Sequence, residues 1–115
     1  MSSRSRIARG RLTQRLLAEY LRGRGWPDAR SVEAFAPGRD IQDCAGLAIE
    51  VKATTDVPLL SALRQAEKSA GGDIPMVVWR PNGRGPAQIN TWVVALHLDE
   101  MIELLKEAGY GTDGK

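Results

Sequence analysis

The chain has 115 residues, 43% of them hydrophobic and 26% charged, with a formal net charge of +2. This length supports one domain with a real core, no apolar run is long enough to cross a bilayer, and residues 1–10 lack the apolar core of a signal peptide, so a cytoplasmic protein without membrane contact is expected. A single cysteine, Cys44, excludes an internal disulfide and a Cys-based zinc site, and a single histidine, His97, leaves little for a His-based metal site or a Ser-His-Asp triad. Any chemistry must then rest on carboxylates, lysine and an oxygen-preferring metal.

Charge is unevenly spread. Residues 1–30 carry eight arginines against Glu19 and Asp28, whereas residues 96–115 carry five acids against Lys106 and Lys115. A basic opening segment suggests contact with a polyanion. A solvated face in an arginine-rich protein gives the same pattern, since twelve arginines stand against four lysines.

In chain order, residues 1–9 read as a basic flexible arm, 10–108 as one domain and 109–115 as a frayed tail. From Gly10 onward, Leu12, Leu16, Leu17, Tyr20 and Leu21 recur at spacings of three and four, which predicts an amphipathic helix that Gly23 and Gly25 end. Residues 29–35 form a short strand candidate, Pro37-Gly38 breaks the chain, 39–41 is a brief extended piece and 43–46 a hairpin connection. Residues 47–54 are the strongest strand. Pro58 opens a helix that Leu59, Leu60, Leu63, Ala66 and Ala70 carry to Gly71-Gly72. The continuous apolar run 76–79 predicts a strand buried on both faces. A glycine-rich turn with a basic tip follows, then a strand over 89–96 and a helix over 98–108 with Met101, Ile102, Leu104 and Leu105 inward. The fold class is α/β (α+β): a small mixed sheet flanked by helices.

The stretch PGRDIQDCAGLAIEVKA, residues 37–53, places charge inside an apolar strand. Side chains alternate across a strand, so Leu47, Ile49, Val51 and Ala53 share a core face while Ala48, Glu50, Lys52 and Thr54 share the other. The small Ala48 is expected to leave space above that second face, and Asp40 is expected on the neighbouring strand of the hairpin. A solvated edge strand would alternate in the same way. Two carboxylates converging from neighbouring strands suit magnesium, with manganese as an alternative, and such a metal lowers the pKa of a bound water and neutralises charge on a phosphate. Lys52 beside them is suited to orient that water or stabilise the developing charge.

Asp40, Glu50-Val51-Lys52 at the end of an apolar strand, and Gln65 on the following helix together resemble the PD-(D/E)XK nuclease superfamily. Within it, Arg9-Gly10, GWPDARSVEAFAPGRDI, GLAIEVKA and ALRQAEKSAGGDIPMVVWRPNG are most similar to small Holliday junction resolvase-like endonucleases of archaea and of actinobacterial phages. The resemblance covers roughly residues 9–96. It implies a restriction-endonuclease-like αβββαβ core and magnesium held by Asp40, Glu50 and the Val51 carbonyl. It also implies that Lys52 acts on the water with help from Gln65, and that the partners are branched DNA and a second copy of the chain. Many such resolvases place a glutamate four residues after the first-helix glycine, where this chain has Gln14, a candidate metal ligand whose amide oxygen can coordinate or hold a water but brings no charge.

Arg9, Arg11, Arg15, Arg39, Arg64 and Arg84 are candidate DNA contacts, as is Arg80, although each is equally readable as surface charge. Asp43 reads as a turn residue. Trp26, Trp79 and Trp92 suit either base stacking or core packing. The expected activity is a metal-dependent, structure-selective DNA endonuclease. The alternatives are a non-catalytic DNA-binding module with a degenerate nuclease fold, and a less selective nuclease.

Overall fold

The computed structural model describes residues 3–32 and 38–112. The end of the strand expected over 29–35, the break at Pro37, the first two residues of the arm and the last three of the tail lie outside the described residues. Helix α1 spans Ser3–Arg22, β1 Arg30–Ser31, β2 Ile41–Gln42, β3 Leu47–Lys52, α2 Leu59–Lys68, β4 Ile74–Trp79, β5 Val93–Ala95 and α3 Leu98–Glu107. A 3₁₀ segment, Pro86–Thr91, precedes β5.

α1 begins at Ser3 rather than at Gly10. No proline interrupts residues 3–9, and arginine, alanine and isoleucine are adequate helix formers, so the described part of the expected arm continues the helix. Thr13, Leu17 and Ala18 form its buried side. Arg11 and Arg15 are exposed and lie roughly 110–150° around the helix from the centre of that side, in line with Arg4 and Arg22.

The main sheet has the order β3-β4-β5, with β3 and β4 parallel and β4 and β5 antiparallel. The expected strand over 89–96 is thus only partly a strand: Pro86 starts a 3₁₀ turn, and pairing begins at Val93. β1 and β2 do not join this sheet. They pair with each other, Ser31 opposite Ile41, as a separate two-stranded ribbon. The ribbon is tied to β3 by the Asp40 amide donating to the Ile49 carbonyl at 3.1 Å.

One face of β3 contributes Ile49 and Val51 to a core with Leu17, Ala18, Ile41, Cys44, Val78 and Trp92. The other face meets α2, where Ala62, Leu63 and Val77 form a second cluster. The space expected above Ala48 is therefore filled: Ala48 is fully buried, and α2 packs across β3 and β4. α3 departs from expectation too. None of its residues is buried, and Met101, Ile102 and Leu105 remain 38–42% exposed, so its apolar stripe is not inward.

Arg39 joins the ribbon to α2. Its Nε donates to the Ser69 carbonyl, its Nη2 to that of Ala70, and its Nη1 to that of Leu47 and to Asp73 at 2.7 Å. These bonds satisfy carbonyls at the end of α2 that no helical amide reaches. Arg39→Ala is expected to cost about 2 kcal/mol in urea unfolding with little change in slope, because charge-assisted bonds to partly buried carbonyls are lost. An unchanged midpoint would refute this clamp.

Candidate functional site

Hydrogen bonding along β3 alternates. Gly46 and Lys52 turn their carbonyls to the β4 side, accepting from the Ile74 amide at 2.9 Å and from the Arg80 amide at 2.8 Å. The odd-numbered residues turn the other way. The Leu47 carbonyl accepts from Arg39, that of Ile49 from the Asp40 amide, and that of Ala53 from Arg9, while the Val51 amide donates to Asp40 Oδ2 at 2.7 Å. By this alternation Val51 directs both of its backbone groups to the side where Asp40 sits. Asp40, expected on a strand paired with β3, instead precedes β2 outside the main sheet, and these two bonds fix it against the free edge of β3.

Glu50 projects from the opposite face of β3 to Val51 and is only 8% exposed. Lys52 Nζ stands 3.5 Å from Glu50 Oε1. The carboxyls of Asp40 and Glu50 are near enough for each to act on the other's ionisation, so the two acids and the lysine form one group. Burial, and then the adjacent Asp40 charge, pushes Glu50 up to about 7. Burial likewise raises Asp40, against the opposing effect of the Val51 amide and of Lys52. Two acids held this close in a low-dielectric site do not ionise together unless a cation compensates them. Two hard carboxylates, with a backbone carbonyl turned to the same side, are a donor set that fits magnesium or manganese. Among the described residues, no cluster brings three or more His, Cys, Asp or Glu together.

The remaining candidates stand apart from this group. Gln65 is exposed on α2 and Gln14 is half-buried on α1; neither hydrogen-bonds to Asp40, Glu50 or Lys52. Arg64 is exposed, like Arg11 and Arg15. Arg84 is exposed but donates Nη1 to the Thr91 carbonyl at 2.8 Å, which closes the turn before β5. Arg39 commits four of its five N–H donors within the fold, which favours a structural role over a DNA contact. Asp43 pairs with Arg30 at 2.8 Å at the open end of the ribbon, where the chain turns into β3 and its φ is 55°, in keeping with a structural role.

All three tryptophans donate their indole N–H to backbone carbonyls: Trp26 to Ala45, Trp79 to Thr54 and Trp92 to Arg84. Trp92 is buried in the core and Trp26 packs against it, so packing outweighs stacking for these two.

The chief surprise is Arg80. As the residue that ends a buried strand next to a glycine-rich turn, it reads as a surface charge, yet it is 8% exposed. The only hint in sequence is its direct attachment to the apolar run 76–79. Thr13, fully buried and bonded to Arg80, left no trace in the helical periodicity. In comparisons with known proteins, no family model, curated protein or solved structure matches this chain.

Proposed function

We propose that this chain is a magnesium-dependent, structure-selective DNA endonuclease of the PD-(D/E)XK type, acting on four-way junctions. The observation that carries the proposal is the grouping of Asp40, Glu50 and Lys52 at the end of β3, with the Val51 carbonyl turned toward Asp40. Asp40, Glu50 and that carbonyl would hold the metal, whose chemistry is charge neutralisation at the phosphate and activation of water. Lys52, within reach of Glu50, orients the attacking water and offsets charge on the phosphate. The exposed arginine stripe of α1 supplies backbone contacts that carry no sequence information. The restriction-endonuclease-like arrangement is part of the proposal: α1, the β1–β2 ribbon, β3, α2 and β4 follow the αβββαβ order, although the first two strands form their own ribbon.

The test is cleavage of a labelled four-way junction beside linear duplex and single strand of the same sequence, in magnesium and in EDTA. Junction-selective cutting confined to magnesium is expected. Equal cutting of all three substrates would replace the resolvase with a less selective nuclease.

Resolution needs two symmetric cuts, so the proposal includes a homodimer. We place the second copy on α3 and the free edge of β5, where Val94, Leu98, Met101 and Ile102 are 38–73% exposed. A two-fold axis there pairs the open edge of β5 with its own copy and covers the α3 stripe. Ile102→Glu is expected to convert a dimer to a monomer in sedimentation equilibrium; a monomeric wild type would exclude this interface.

A second function, DNA binding without cutting, is favoured by one observation. Gln14 stands where many of the resolvases that the sequence resembles carry a glutamate, which leaves two carboxylates in the group. Junction binding without cleavage in any divalent metal would select it.

A further inference from the structure

Two guanidiniums between α1 and the end of β4 lack a countercharge. Arg9 donates Nε to the Ala53 carbonyl at 2.8 Å, but its Nη2 is buried with no hydrogen-bond partner. Arg80 gives Nη1 to Thr13 Oγ1 at 3.1 Å and Nε to the Arg84 carbonyl at 3.0 Å, and lies over the Trp92 ring. Thr13 Oγ1 in turn donates to the Arg9 carbonyl at 2.7 Å, so one hydroxyl links the two residues. No carboxylate pairs with either guanidinium among the described residues. Burial, and then the Arg9 charge, holds Arg80 below the ordinary guanidinium value. Placing like charges together away from water is costly, and an apolar pair would pack there at less expense.

The pair sits behind a cavity of about 550 Å³ at the C-terminal end of β3, whose lining includes Arg6, Arg9, Gly10, Lys52, Thr55 and Asn82. Among the described residues, Asp56 is the single carboxylate in that lining, against three cationic side chains. Gly10 shapes the wall: a Cβ there would meet nothing within 4 Å, so the glycine leaves open space where a helix interior would ordinarily favour alanine. The cavity has room for one nucleotide unit.

We propose that this cavity is a phosphate site, in which Arg9, backed by Arg80 through Thr13, binds one phosphate of a single DNA strand passing Lys52, distinct from the phosphate that is cut. That the phosphate belongs to a DNA strand rests on the nuclease function proposed above; the anion site does not. In this structure Arg9 Nη2 is shielded from solvent, so binding carries a turn of its side chain into the space beside Gly10.

The experiment uses the full chain in EDTA, where no cleavage is needed. Inorganic phosphate, a mononucleotide and a short single-stranded oligonucleotide are titrated into wild type, Arg9→Met and Gly10→Leu. Wild type is expected to gain thermal stability with phosphate and to bind the oligonucleotide. In Arg9→Met the phosphate effect should vanish, oligonucleotide affinity should fall at least tenfold, and the slope of log K against log salt should shrink by about 0.7. Gly10→Leu fills the cavity, leaves the guanidinium in place and should produce the same loss, which separates site blockage from misfolding at Arg9. Unchanged phosphate stabilisation and affinity in both folded variants would overturn the site. Binding of phosphate and mononucleotide but not of the oligonucleotide would overturn its assignment to a strand. Loss of junction cleavage with these results intact would refute the nuclease alone.

Discussion

Lys52→Ala is expected to lower junction cleavage about a thousandfold while leaving junction affinity within about threefold of wild type. The side chain projects from the last residue of β3, is 27% exposed, and reaches within 3.5 Å of Glu50. It contributes little to the core, so the substitution should fold. Its loss removes the cation that stabilises charge at the reacting phosphate and also leaves Glu50 more strongly raised, since the Lys52 charge is what opposes burial there. Both effects fall on the chemical step. DNA affinity should persist because it comes chiefly from salt-sensitive phosphate contacts along α1, to which Lys52 does not belong. Single-turnover cleavage and a binding titration in calcium or EDTA separate the two quantities. Cleavage that survives in Lys52→Ala would remove this group from the active site.

Glu50→Gln is expected to stabilise the protein at pH 8 by roughly 3 kcal/mol, or of the order of 10 °C in Tm, in the absence of divalent metal. Glu50 titrates near 4.5 when unfolded and at about 7 in the fold, and it is almost wholly buried. The folded protein therefore holds a proton that the unfolded chain releases, between about pH 4.5 and 7. The favourable contribution of neutral Glu50 is fully present below 4.5 and is lost as pH rises through 7. Asp40, also raised by burial, acts in the same direction. Glutamine keeps the shape and removes the titration, so thermal denaturation of the variant should flatten across this range. Magnesium should stabilise wild type at pH 8, by binding the ionised pair, and should have little effect on Glu50→Gln. A wild-type profile parallel to that of Glu50→Gln between pH 5 and 8 would show that Glu50 is not held protonated by the fold.

Much of the molecule was legible in the residues themselves. The run Leu47–Lys52 alternates as a strand must, Leu59–Ala66 repeats as a helix face must, and Met76–Val78 is apolar without a break; each became the element its period implies. The nearness of Asp40 to β3 was legible from the short connection between them, but not its means, which is two hydrogen bonds to β3 and not strand pairing. The direction of the Val51 carbonyl was not read from sequence, since it depends on which neighbour satisfies the even-numbered residues.

What the sequence alone determined was the set of local elements and the pair of acids one turn apart in chain order, because short-range sterics and side-chain period decide these. Tertiary structure decided the rest. It separated β1 and β2 into their own ribbon, laid α2 over Ala48, left the α3 stripe exposed, and turned Arg39 into a helix-end clamp. It also buried Arg80 beside Arg9, sixty-seven residues from the Thr13 that it bonds. An arginine looks alike in sequence wherever it lies, and only the packing of distant elements decides whether its charge meets water, a carbonyl or another guanidinium.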